Sequence, residues 1–109
     1  MRLPSRIVID PRKIKDYLLV FKRDKDKSKF LSLGGYVENN WQELLKDIYE
    51  LSQNDAEYQG KSGWGENEYS IYGILSGRNN GKQLEVNLIF HSFEEESRFI
   101  TLIPIGVVQ

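Results

Sequence analysis

The sequence predicts an α+β domain in which N-terminal helices pack on one face of a three- to four-stranded antiparallel meander. Three observations carry that expectation. Apolar residues recur at helical spacing between residues 10 and 53, whereas from residue 68 onward β-branched and aromatic residues alternate with polar ones. Asn80-Gly81, a hairpin turn signal, falls between two of the alternating runs. The 109 residues hold no cysteine and fit one core that needs no covalent staple. The chain reads as a single domain over residues 1–109, with a helical part at 10–53, a loop at 54–67 and a sheet at 68–104.

Ile7, Val8 and Ile9 form a short apolar run, either a strand or an anchored arm. Asp10-Pro11 then starts a helix, because Asp accepts from unpaired amides and Pro at the first helical position lacks only a donor that would go unused. Ile14, Tyr17, Leu18 and Phe21 fall at helical spacing, which turns them inward, leaves Arg12, Lys13, Lys15 and Asp16 toward solvent and ends the helix near Phe21. KRDKDKSK reads as a charged loop. Asp26 or Ser28 opens a short helix carrying Phe30, Leu31 and Leu33, and Gly34 or Gly35 ends it in a left-handed cap. Trp41, Leu44, Leu45, Ile48 and Leu51 form the stripe of a further helix, with Asn40 as its cap and Glu43 reaching back to the cap backbone. That stripe needs a sheet to cover. The 54–67 loop is rich in glycine, with Tyr58 and Trp64 as isolated aromatics and a short edge strand placed near Tyr58. Strands follow at Glu68 to Leu75, at Gln83 to Phe90 with Leu84, Val86, Leu88 and Phe90 on one face, and at Arg98 to Ile103, closed by Pro104.

The net charge of −1 conceals an uneven distribution. Residues 1–29 carry ten basic and four acidic side chains; residues 30–109 carry five and twelve. Such asymmetry suits either a polyanion-binding end or a basic helix that docks on an acidic face. No apolar run approaches the roughly 18 residues of a membrane helix and MRLPSRIVID lacks a secretory apolar segment, so a cytoplasmic location without membrane contact is expected. No cofactor is expected. A metal site is not expected either, because one histidine among scattered carboxylates has no ligand spacing.

Gly60-Lys61-Ser62 has the ending of a phosphate-binding loop, but Asp55 stands where its first glycine belongs and Gly63 and Gly65 follow where a helix should start. A flexible turn fits it better. His91 is the only histidine, hence the only histidine base. If the turn around Phe93 pairs His91 with Arg98, both share a face with Asn87 and Glu85, and a titratable base stands beside a fixed cation. Lys22, Arg23, Lys25, Lys27 and Lys29 could track a phosphate backbone, although aromatics for base stacking are not interleaved among them in sequence. Trp41 lies on the core stripe. Trp64 has little apolar company, so it either plugs the sheet edge or awaits a partner. Ile89, Ile100 and Leu102 fall opposite Leu88, Phe90 and Phe99, which leaves the uncovered face partly apolar and suited to a protein partner or a second copy, with Trp64 and Tyr58 alongside.

The order of motifs, LPSRIVIDPRKIKDYLL, DKSKFLSLGGY, NNWQELLKDI and finally RFITLIP, resembles a family of small bacterial, often cyanobacterial, domains of unknown function. The matching positions are Leu3, Pro4, Lys13, Tyr17, Leu18, Leu19, Lys27, Phe30, Leu33, Gly34, Tyr36, Trp41, Leu44, Thr101 and Pro104. Gly35 is an extra glycine relative to that pattern. The resemblance implies a component of a toxin and antitoxin type module, acting by protein interaction. Its layout is also similar to metal-independent ribonucleases of the barnase and colicin type. That analogy implies Lys27, Arg98 and Thr101 as phosphate or 2′-hydroxyl contacts on RNA, to which the strand argument adds His91 as the group that moves the proton.

Overall fold

The structure is a computed structural model that describes residues 1–4, 6–24 and 26–109; Lys25 of the basic run lies outside the described residues. Strand β1 (Arg6–Val8) leads into helix α1 (Pro11–Lys13), which passes directly into a π-helical stretch, Ile14–Leu18. Asp10 caps it as expected, accepting from the Arg12 amide at 3.0 Å. The wide turn closes through the Leu19 amide on the Ile14 carbonyl at 3.1 Å. It inserts a residue into the helical register. Ile14, Leu18 and Leu19 are therefore buried, while Tyr17 and Phe21, expected inside, face solvent.

Helix α2 (Ser28–Leu33) follows, then a 3-10 turn (Glu38–Asn40) and helix α3 (Trp41–Leu51). Leu44 and Ile48 of α3 are fully buried, with Trp41, Leu45 and Leu51 partly buried around them. Asn40 does not cap α3 with its side chain. It accepts from the Val37 amide at 2.8 Å and donates to the Gly35 carbonyl and to Glu43, so the expected reciprocal cap is replaced by a staple across the preceding turn.

The sheet has five strands in the order β1-β5-β4-β3-β2, formed by β2 (Glu57–Lys61), β3 (Asn67–Leu75), β4 (Leu84–Phe93) and β5 (Glu96–Val107) with β1. The three- to four-stranded antiparallel expectation is thus corrected to five strands with one parallel pair. The Ile7 run is a strand and pairs parallel with β5, and the edge strand expected near Tyr58 pairs antiparallel with β3. The helices cover one face, where Ile71, Leu84, Val86, Leu88, Phe90, Phe99 and Leu102 meet Ile14, Leu18, Leu31, Tyr36, Leu44 and Ile48. Leu102 belongs to this core and not to the outer face. Ile89 pairs with Thr101 and Phe90 with Phe99, so Ile100 is the extra residue of a β-bulge and the side chains from Thr101 to Pro104 change face, until a second extra residue, Ile105, restores the phase. Pro104 does not end β5, since β1 stops at Val8 and no neighbour there requires the missing donor.

The junction between layers is polar. Asp47 of α3 accepts from the Tyr36 hydroxyl at 2.7 Å and from the Arg78 guanidinium at 2.6 and 3.1 Å. The Arg78 amide donates to the Gly34 carbonyl and the Lys82 amide to that of Leu33, which lays the β3–β4 loop on the end of α2. Gly35 has φ +82 and a Cβ there would stand 1.8 Å from the Arg78 carbonyl oxygen, so the extra glycine is required. The loop turns at Asn79 and Asn80, both at positive φ, one residue earlier than the Asn80-Gly81 signal. Gly81 is thereby released to lie against Gly34, where a Cβ would meet backbone at 2.1 Å.

Gly35→Ala is expected to lose at least about 2 kcal/mol more than Gly65→Ala in urea unfolding, because both pay for positive φ and only Gly35 has a backbone neighbour in the way. Asp47→Ala should cost roughly 2–3 kcal/mol, since it strands a buried hydroxyl and a guanidinium that is one-third exposed. Burial and the Asp47 carboxylate also push the Tyr36 phenol well above its ordinary value. The folded chain holds that proton where the unfolded chain releases it, so the stabilisation is complete below about pH 10 and is lost at higher pH. A Tyr36→Phe chain should show a shallower alkaline fall in melting temperature than wild type.

Candidate functional site

The sheet face turned away from the helices carries cross-strand rows of side chains. Glu68 of β3, His91 of β4 and Arg98 of β5 are paired in register, followed by Ser70, Ile89 and Thr101, then Tyr72, Asn87 and Ile103. His91 therefore stands opposite Arg98, on one face with Asn87 and Glu85. Its Nε2 lies 3.0 Å from a Glu68 oxygen and its Nδ1 3.7 Å from Glu66. The second Glu66 oxygen accepts from Arg98 at 2.6 Å. The imidazole is thus held between two carboxylates with 13% of its side chain exposed. The Glu68 hydrogen bond fixes the ring plane, while the Glu66 carboxylate faces Nδ1 at a distance too long for a hydrogen bond.

One row away, the β5 bulge collects cations. Thr101 turns outward because Ile100 is inserted before it, and its hydroxyl accepts from Lys27 Nζ at 2.6 Å. Lys13 Nζ donates to the Ile100 carbonyl at 3.2 Å, at the level where β1 no longer covers the β5 edge. Lys13 comes from α1 and Lys27 from the loop before α2. That loop is shaped by Asp26, which accepts from the Lys22, Ser28 and Lys29 amides and from the Ser28 hydroxyl. Partial desolvation opposes its charge, yet the Ser28 hydroxyl and these amides hold its carboxyl below the ordinary range. Side chains two apart on one face of a strand are separated by about 6–7 Å. Lys27 at Thr101 is therefore about one such step from the His91–Arg98 row.

A depression of about 770 Å³ opens beside the bulge, lined by Lys13, Tyr17, Lys27, Ile100 and Thr101 with Asp10, Arg12 and Asp16. Asp10 is occupied by Arg12, whose side-chain hydrogen bonds hold its carboxyl below the ordinary range. Arg98 lies on the adjoining hollow, which shares Asp10, Lys13 and Ile100. The structure thus brings His91, Arg98, Thr101 and Lys27 onto one face in neighbouring rows, although His91 does not line these depressions. Glu66, Glu68 and Lys13 join them without having been expected at a site. Glu68 was within reach, because pairing β3 with β4 in alternation puts it opposite His91; Lys13 was marked only as a position of the family pattern, and Glu66 depends on the turn and had no local signal.

Ile89 and Ile100 sit partly buried on this face. Tyr58 lies on β2 with its ring 5.5 Å from that of Tyr69. Trp64 is in the β2–β3 turn and 89% exposed, so it does not plug the sheet edge. Gly60-Lys61-Ser62 is the end of β2 and its turn. No described helix is long and apolar enough to cross a membrane.

A family model for a domain of unknown function, DUF6883, matches residues 2–106. The chain belongs to this family. The match spans all five strands to Gly106 and includes every motif position from Leu3 to Pro104. No curated protein and no solved structure matches the chain. In this DUF6883 domain the Glu66–Arg98 pair has one enclosed and one half-exposed partner. A double-mutant cycle on Glu66→Ala and Arg98→Ala, read by chemical unfolding, should give a coupling of about 0.5–1 kcal/mol, screened by added salt.

Proposed function

We propose that this domain cleaves RNA on its uncovered sheet face without a metal ion. One observation supports this above the rest: the β5 bulge sets Lys27, Thr101 and Lys13 beside Arg98 and the clamped His91–Glu68 pair. Arg98 and Lys27 hold the scissile phosphate and Thr101 contacts it or the neighbouring 2′-hydroxyl. The 2′ oxygen forms its bond to phosphorus as its proton passes to the His91–Glu68 pair. The bond from phosphorus to the 5′ oxygen breaks, and that oxygen leaves with a proton returned by the same pair. A 2′,3′-cyclic phosphate and a 5′-hydroxyl result, with protons and electrons balanced and no cofactor consumed.

The protein-interaction reading is favoured by a different observation. Trp64 is nearly fully exposed at the end of the sheet that carries this row, and Tyr72, Ile74, Ile103 and Ile105 are exposed at the other. A protein partner, or a second copy, laid over the face would bury both ends and close the His91 row, as an antitoxin-type partner would.

Purified protein incubated with total bacterial RNA in excess chelator tests the enzyme. Wild type should leave 2′,3′-cyclic ends, while His91→Ala and Lys27→Ala should each lose activity by at least about 100-fold. Intact RNA after prolonged incubation with folded protein would remove the nuclease and leave the interaction reading.

A further inference from the structure

The basic stretch that lacks interleaved aromatics in sequence acquires them in space. The π-helical turn rotates Tyr17 and Phe21 out of the core, and they are 41% and 63% exposed. Lysines of the following loop and of α2 stand over them: Lys22 Nζ is 4.9 Å and Lys27 Nζ 5.9 Å from the Tyr17 ring centre, and Lys29 Nζ, from the first turn of α2, is 5.1 Å from that of Phe21. A shallow hollow of about 490 Å³ adjoins Phe21 and Lys29, with Ser32 and Asn39 on its wall as hydrogen-bonding groups. On the other side of the loop, Tyr17 and Lys27 border the depression at the β5 bulge. Ring, ammonium, ring and ammonium thus succeed one another from Phe21 to Thr101.

Alternation of flat apolar rings with cations is what an unpaired polynucleotide requires, since each base offers a face to stack and each linkage a charge to neutralise. In a duplex those base faces are already occupied. Two of the nearby carboxylates do not oppose a phosphate as bare charges, because Asp10 is bound by Arg12 and Asp26 by its own loop. Asp16 on one rim, beside Arg12 and Lys13, and Glu38 on the wall of the Phe21 hollow are carboxylates that do oppose one.

We propose that this surface is a track for single-stranded RNA leading into the His91 face, with bases stacked on Phe21 and Tyr17 and phosphates following Lys29, Lys22 and Lys27 toward Arg98. It rests on the ribonuclease reading above and names unpaired RNA as the substrate class.

The test is fluorescence anisotropy of a labelled, unstructured 12-nucleotide RNA in chelator, with the full chain carrying His91→Ala to prevent turnover. The single strand should bind at least about tenfold more tightly than the same strand annealed to its complement. Adding Phe21→Ala or Phe21→Leu should weaken binding by about tenfold with the salt dependence unchanged, whereas Lys22→Ala and Lys29→Ala should each lower the salt slope by about 0.7. Thermal melts followed by circular dichroism establish that each variant is folded. Equal affinity for duplex, or loss of neither affinity with Phe21 nor salt slope with the lysines, overturns the track. RNA cleavage by wild type that Phe21→Leu leaves unchanged removes the track and keeps the nuclease. Phe21-dependent binding without cleavage removes the nuclease and keeps the track as a binding surface.

Discussion

Asp47 ties the helical layer to the sheet. Its carboxylate sits on the inner side of α3 and takes a phenol from the turn after α2 and a guanidinium from the β3–β4 loop. A charge enclosed at that depth is tolerable only if both oxygens are occupied, and here they are. The consequence reaches beyond the junction. Arg78 cannot approach Asp47 unless its backbone lies on Gly34 and Gly35, so the same contact fixes where α2 ends. Fixing α2 also fixes the Asp26 loop at its start, and with it the lysine that meets β5.

The candidate site depends on two irregularities that face each other. A π-helical turn in the first helix adds one residue, and a bulge in the last strand adds another. The first turns Tyr17 outward and buries Leu19; the second turns Thr101 outward and buries Leu102. Lys13 on the bulge carbonyl joins them directly. Regular geometry at either place would have put a hydroxyl or an aromatic ring in the core and an aliphatic side chain in water. Irregular turns and bulges re-aim side chains in this way at functional surfaces.

Much of the architecture was legible because it rests on periodicity. The alternation of Leu84, Val86, Leu88 and Phe90, the α3 stripe and the Asp10-Pro11 start all depend on near neighbours, and all appear as expected. The pairing of His91 with Arg98 was legible for the same reason, since a short connection around Phe93 leaves few registers. What escaped depends on distant contacts. Nothing near Arg6–Val8 announces a parallel partner close to 90 residues away, and nothing in ILSGRNNGK announces that Arg78 will reach Asp47. Leu102 and Tyr17 were assigned to the wrong side for one shared reason: each lies beyond an inserted residue, and a period carried past an insertion gives the opposite face.

Both margins of the sheet are interrupted. The outer strand β2 carries charge at each end, in Glu57 and Lys61, and slips register between Tyr58 and Gly60, with Gly60 at φ +102. On the far side β1 covers three residues of β5, and beyond them β5 is bent by its bulges and lacks a donor at Pro104. Neither margin offers a second chain the straight row of donors and acceptors that lengthening a sheet demands. Stacking molecule upon molecule into a fibre therefore finds no template here, and contact between copies is directed to side chains and away from backbone.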